Sequence, residues 1–159
     1  MELCSLTADV AISPCTLNDY IHCKNVVSKT YVVPENRVQQ AMEDFISAIA
    51  DAKLDNSSLP FFIMETIENK WIRMKIYMSV VHNNPKLPTG LHFDSYFCVD
   101  NMVSLCVSRE PERYLSDAYV KLFSYLQENS FRAITPVFQV LGGDKQDQYT
   151  FLKVGYTQI

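Results

Sequence analysis

No catalytic or nucleotide-binding signature occurs in this sequence: GxSxG, the P-loop, GxGxxG and HExxH are all absent. None of the chemistries that those spacings position is therefore implied, and no enzyme and no cofactor is expected. Gly142-Gly143 is a lone turn signal. The five cysteines, Cys4, Cys15, Cys23, Cys98 and Cys106, contain no CxxC pair, and His22, His82 and His92 are scattered. A zinc site started by His22 and Cys23 would need two further ligands from elsewhere, so no metal is expected. An odd number of cysteines without a secretory leader fits reduced thiols better than a disulfide framework. The opening MELCSLTADVAISPC has no basic stretch followed by an apolar core, so no signal peptide is expected. No apolar run approaches the ~18 residues of a membrane-spanning helix. Positive charge is not in excess either. A net charge of -4 and a pI near 5.3 argue against direct nucleic-acid binding, which needs a basic face. These absences together lead us to expect a cytoplasmic protein.

What is present is a globular composition, 48% hydrophobic and 20% charged over 159 residues, enough for one domain or two small units. Residues 1–23, with Pro14 and Asn18-Asp19, read as a loose lead-in whose apolar residues, of unclear period, fit either a short strand or a short helix. Asn25 to Val33 is rich in β-branched residues and reads as a strand that Pro34 ends. Pro34 and Glu35 suit the first turn of a helix. Val38, Ala41, Met42, Phe45, Ile49 and Ala52 then recur at helical spacing. Phe61 to Ile67 reads as a strand, Glu68-Asn69-Lys70 as a tight hairpin turn, and Trp71 to Val81 as the returning strand. His82 to Gly90, with Pro85 and Pro88, reads as a linker. The order then recurs. Phe93 to Ser108 holds strand, interrupted near Asp100-Asn101, and a helix follows from Glu110 to about Asn129. The helix stripe is Leu115, Ala118, Tyr119, Leu122, Tyr125 and Leu126. Thr135 to Leu141 and Tyr149 to Thr157 complete the pattern, on either side of a loop at 142–147.

Two separations agree. Ile72–Met78 can be laid on Thr150–Tyr156, lysine on lysine, at 153 − 75 = 78 residues, and the helix starts Glu35 and Glu112 lie 112 − 35 = 77 apart. Matching offsets at separate elements imply an internal repeat. The expected fold is α+β: duplicated β-α-β-β units with pseudo-twofold symmetry, an antiparallel sheet and two main helices. Repeat one would cover 24–82 and repeat two 91–157, within a single domain at 24–157.

Ala118-Tyr119-Val120-Lys121-Leu122-Phe123-Ser124-Tyr125-Leu126-Gln127-Glu128-Asn129-Ser130-Phe131, followed by Pro136-Val137-Phe138, resembles the second helix and following strand of the GyrI-like small-molecule-binding family. That family includes the effector-binding domains of bacterial multidrug-responsive transcription activators. The resemblance covers roughly residues 24–157 and implies a bacterial effector-binding domain with a cleft between its repeats. Family domains occur alone or fused to a DNA-binding head. With no segment patterned as that head, and no acidic residue aligned with the one that hydrolytic relatives use, a stand-alone, non-enzymatic module is expected. Arg73 and Lys75 stand where the inner strands of family members often carry acidic residues, and the usual glycine is missing from Val107-Ser108-Arg109-Glu110-Pro111. Both departures speak against the cationic ligands typical of the family. The alternative is a protein-interaction module without a small ligand, its partner a gyrase-like enzyme or the product of a neighbouring gene.

Strand alternation separates two faces. Ile72, Met74, Ile76 and Met78 should pack on a helix, as should Thr150, Leu152, Val154 and Tyr156 in the second copy. Trp71, Arg73, Lys75 and Tyr77, and with them Tyr149, Phe151, Lys153 and Gly155, take the other side. That face combines rings with cations, as a site for a small aromatic or anionic ligand requires. The same pattern also fits a solvated sheet face with cross-strand pairs. Glu65, on the side of Phe61 and Ile63, is either a carboxylate in an apolar setting or the ion-pair partner of Arg73 or Lys75. Candidate ligand-binding residues are thus Glu65, Trp71, Arg73, Lys75, Tyr77, Tyr149, Phe151 and Lys153. Cys98 and Cys106 read as inert core thiols.

Overall fold

The computed structural model describes residues 11–144 and 146–159. Cys4, the first part of the 1–23 segment and Lys145 of the 142–147 loop lie outside the described residues. The elements are β1 (Thr16–Pro34), a 3₁₀ turn (Glu35–Arg37), α1 (Val38–Asp51), β2 (Phe61–Thr66), β3 (Trp71–Ser79), β4 (His92–Val107), α2 (Pro111–Glu128), β5 (Phe131–Ala133), β6 (Phe138–Gly143) and β7 (Gln148–Gln158). The fold is α+β, with antiparallel strands and two main helices. Two compact units divide it: Ile21–Cys98, and Val99–Ile159 with the described residues up to Tyr20.

In the Ile21–Cys98 unit, β3 lies between β1 and β2, antiparallel to both. The hairpin that sets the β2–β3 register is written in two residues. Asn69 (φ 48) and Lys70 (φ 65) are both left-handed, and the Trp71 N–H donates to the Glu68 carbonyl at 2.9 Å, as a type I′ turn demands. The Ile67 N–H then donates to the Trp71 carbonyl. Ile67 and Glu68 thus oppose one residue, a bulge that places Glu65 opposite Arg73. Helix α1 packs on β3, burying Ala41, Phe45 and Ile49.

In the other unit, β7 pairs antiparallel with β4, β5 and β6. Its core joins Val103, Leu105, Val107, Leu152 and Val154 from the strands to Tyr114, Ala118, Leu122 and Leu126 from α2. The three residues that α1 buries and three of those that α2 buries stand at one separation of 77 (118 − 41, 122 − 45 and 126 − 49). Tyr114 joins the buried stripe of α2 although the helical spacing had singled out Leu115.

The strands begin and end differently from the sequence pattern. Residues 16–23, in the lead-in that fits either a short strand or a short helix, are strand, and β1 continues through Asn25 at φ 55. Likewise β4 is unbroken through Asp100-Asn101, where Asn101 takes φ 55. Asparagine tolerates the left-handed region because its short polar side chain bonds locally, so each strand continues past a residue where the sequence suggested a start or an interruption. At Val107–Pro111, where the glycine is missing, Glu110 caps α2 at φ 39, a conformation glycine would hold without a Cβ penalty. No helix among the described residues is long and apolar enough to cross a membrane.

Candidate functional site

Alternation on β3 produces the two faces. Met74 and Ile76 are fully buried on the helix side, and Trp71, Arg73, Lys75 and Tyr77 project from the other. The ladder registers put Ser28, Tyr77 and Phe61 in one row across β1, β3 and β2, with Thr30, Lys75 and Ile63 in the next and Val32, Arg73 and Glu65 beyond. Phe61 and Tyr77 stack in parallel, with centroids 4.8 Å apart and 5° between planes. Phe97 of β4 closes on both, at 5.2 Å from Phe61 and 4.9 Å from Tyr77. The Lys75 ammonium lies 5.1 Å from the centre of the Tyr77 ring, within cation–π range. Burial, then the nearby Asp94 carboxylate, raises the Tyr77 phenol above its ordinary value, so the ring presents a neutral hydroxyl at physiological pH.

Glu65 does not sit among apolar neighbours. It is exposed, and accepts from Arg73 Nη1 at 2.9 Å, because β2 leaves the core beyond Met64. Both side chains are more than half exposed. A Glu65→Ala/Arg73→Ala double-mutant cycle is therefore expected to give a coupling of only about 0.2–1 kcal/mol in urea unfolding; a value above about 2 kcal/mol would show the pair to be desolvated. Trp71, the single tryptophan of the chain, is 45% exposed, near Val32 at 53% and Ile67 at 42%.

In the Val99–Ile159 unit, Tyr149 and Phe151 meet edge to face at 5.5 Å, and Lys153 Nζ lies 5.5 Å from the Phe151 centroid. Lys153 is not a free cation for anions. Asp19 pairs with it at 3.3 Å, and the Tyr20 carbonyl accepts from it at 3.0 Å. Asp19 also takes the Ser104 hydroxyl at 2.6 Å, and the Ser104 and Thr16 hydroxyls are 2.9 Å apart. Burial disfavours the Asp19 charge, but Ser104, the Tyr20 N–H and Lys153 together outweigh it and hold the carboxyl below its usual range. The structure thus gathers Glu65, Trp71, Arg73, Lys75 and Tyr77 within one unit, and Tyr149, Phe151 and Lys153 within the other.

Sequence reasoning missed Phe97, Ser28, Asp19 and Ser104. The β2–β3 hairpin could have brought in Phe61 as the partner of Tyr77. The others meet the site through strands distant in the chain, which no local pattern encodes. Cys98, read as a core thiol, is exposed on β4, on the side opposite its neighbour Phe97. Burial pushes the Cys106 thiol up, as it does that of Cys15, against the pull of Lys121. Among the described residues, no cluster of histidine, cysteine and carboxylates could hold a metal ion.

Antiparallel strands with a helix on one face and rings with a cation on the other define an α+β domain. The chain belongs to the family described as a domain of unknown function, DUF5085, which matches residues 22–157. No curated protein matches it. Among solved structures, the crystal structure of the EcmrR C-terminal domain is similar with a TM-score of 0.72 at 14% identity, over 91% of this chain and 98% of that one. The EcmrR chain in the cryo-EM structure of its DNA complex gives a TM-score of 0.74 at 14% identity over 98% of this chain. The present chain spans 61% of that protein. A hydrolase from Listeria innocua gives 0.55 at 9% identity, over 91% of this chain and 94% of that one. At such identities the likeness extends to the fold alone.

Proposed function

We propose that the protein is a non-enzymatic module that binds a small effector on the sheet face of the Ile21–Cys98 unit. The observation that carries this reading is the Phe61–Tyr77–Phe97 cluster with the Lys75 ammonium over it. Stacked rings give a planar ligand apolar surface, and a single cation gives it orientation. The fold shared with the EcmrR C-terminal domain supports the reading, as does the recurrence of buried helix positions at a separation of 77 (122 − 45), which fits duplicated repeats at 24–82 and 91–157. The likeness to a hydrolase is one of fold, and two carboxylates near the rings and cations are held in ion pairs. The Asp19 carboxylate is committed to Lys153 and Ser104, and Glu65 is committed to Arg73.

Thermal-shift screening against aromatic acids, neutral aromatics and aromatic cations tests the proposal. A ligand at 100 times its Kd is expected to add ~2.7 kcal/mol of stability. Emission from the single Trp71 serves as a second readout. Were no class to raise the melting temperature, the effector reading would fail. The exposed Val32, Trp71 and Ile67 would then favour the second reading, a protein-interaction module.

A further inference from the structure

Three rows of side chains share the face that carries the aromatic cluster, and one buried polar atom in them has no partner among the described residues. Ser28 is fully buried, and its hydroxyl finds no hydrogen-bond partner among the described residues. Other buried serines are satisfied: Ser79 donates to the Lys24 carbonyl at 2.6 Å, and Ser104 bonds Asp19 and approaches Thr16. A buried hydroxyl left unpaired costs free energy and calls for an explanation. Ser28 is the direct cross-strand partner of Tyr77, and Thr30 that of Lys75. Ser28 and Lys75 are therefore diagonal neighbours on one face, a separation that long side chains span.

The two central lysines differ in charge balance. Lys153 is neutralised by Asp19 at 3.3 Å. Lys75, flanked by Thr30 and Ile63, forms no ion pair among the described residues and turns over the Tyr77 ring. Of the acids on that side, Glu65 pairs with Arg73 at 2.9 Å, and Asp94, whose charge reaches Tyr77, is 3.3 Å from His92. Phe97 is only half-buried, yet it covers both partners of the parallel stack.

Building on the effector-binding reading, we infer that the ligand is a planar aromatic carboxylate. Its ring displaces Phe97 and lies on Phe61 and Tyr77. Its carboxylate accepts hydrogen bonds from Lys75 and from the Ser28 hydroxyl. Such a site favours acids, because a cationic ligand would meet an unbalanced ammonium and leave Ser28 without an acceptor.

Calorimetric titration of the full chain with naphthoate, naphthamide and naphthylmethylammonium separates charge from ring. Naphthoate is expected to bind about tenfold or more tightly than naphthamide, since a charge-assisted hydrogen bond exceeds a neutral one. Lys75→Met should remove that margin, weakening naphthoate about tenfold and naphthamide by no more than about twofold. Ser28→Ala should weaken both ligands yet melt no lower than the parent, because it deletes a hydroxyl the fold does not use. Tightest binding of the ammonium compound, or naphthoate affinity unmoved in both variants, would overturn the acid while leaving an effector module standing. Failure of all three probes would overturn the acid too, and a thermal-shift hit of another class would then show that the broader reading survives. A melting temperature lowered in Ser28→Ala would show the hydroxyl engaged within the fold and remove it from the site.

Discussion

Phe45→Ala is expected to cost about 3–5 kcal/mol, and Leu122→Ala about 2–5 kcal/mol, in urea unfolding. Each side chain is fully buried at the centre of its helix, between an alanine four residues before it and an aliphatic residue four residues after. The alanines, Ala41 and Ala118, let the helix approach the strands closely, and the larger residue fills the space beneath. Removing it deletes the apolar transfer term and leaves a void that dense neighbours refill only in part. The measured slope against urea should stay unchanged, since the surface exposed on unfolding is nearly the same. Phe123→Ala, one position further along α2 and 46% exposed, is the control and should move stability by no more than about 0.5 kcal/mol. Losses below about 1 kcal/mol at Phe45 and Leu122 would mean that neither helix is held by its central side chain.

The residues behind that expectation are legible in the sequence itself, because the apolar stripes of both helices carry them. Ala41, Phe45 and Ile49 recur as Ala118, Leu122 and Leu126, and local period alone finds them. The two faces of β3 and β7 are legible for the same reason. Alternation puts Met74, Ile76, Leu152 and Val154 in the core and Lys75 and Lys153 outside it. Strand limits are not legible. Residues 16–24 lack the β-branched run of 25–33, and the left-handed Asn25 looks like a boundary although the ladder continues past it. Nor are the partners of the lysines. Lys153 meets Asp19 across 134 positions of sequence, and Phe97 reaches Tyr77 from another strand. Such meetings depend on which strands become neighbours, and similar lysines in similar frames therefore acquire different surroundings. The residue types of the candidate site can be read as a pattern, whereas its charge balance is a tertiary property.

Asp19→Ala is expected to destabilise the protein by about 2 kcal/mol at pH 7, the scale of hydrogen bonds to a charged group discounted for partial exposure. The carboxylate is 27% exposed and its partner Lys153 only 14%. The variant leaves the ammonium with the Tyr20 carbonyl but without an anion, and Ser104 with Thr16 alone. Because the folded carboxyl lies below its usual 3.8, it binds protons less readily than in the unfolded chain. Its contribution is therefore fully present above that value and is lost as pH falls through the lowered one. Parallel urea titrations should show the gap between parent and Asp19→Ala at full size at pH 7, narrowing only below about pH 4. A gap that closed already between about pH 5 and 7 would mean that a histidine sets the balance instead. The variant also tests the electrical difference between the two lysines. With Asp19 gone, Lys153 becomes an unbalanced cation beside Phe151, the condition in which Lys75 stands beside Tyr77. Asp19→Ala should then acquire affinity for aromatic carboxylates that survives Lys75→Met. In the parent chain, with Lys153 neutralised, the same substitution should leave naphthoate bound no more tightly than naphthamide.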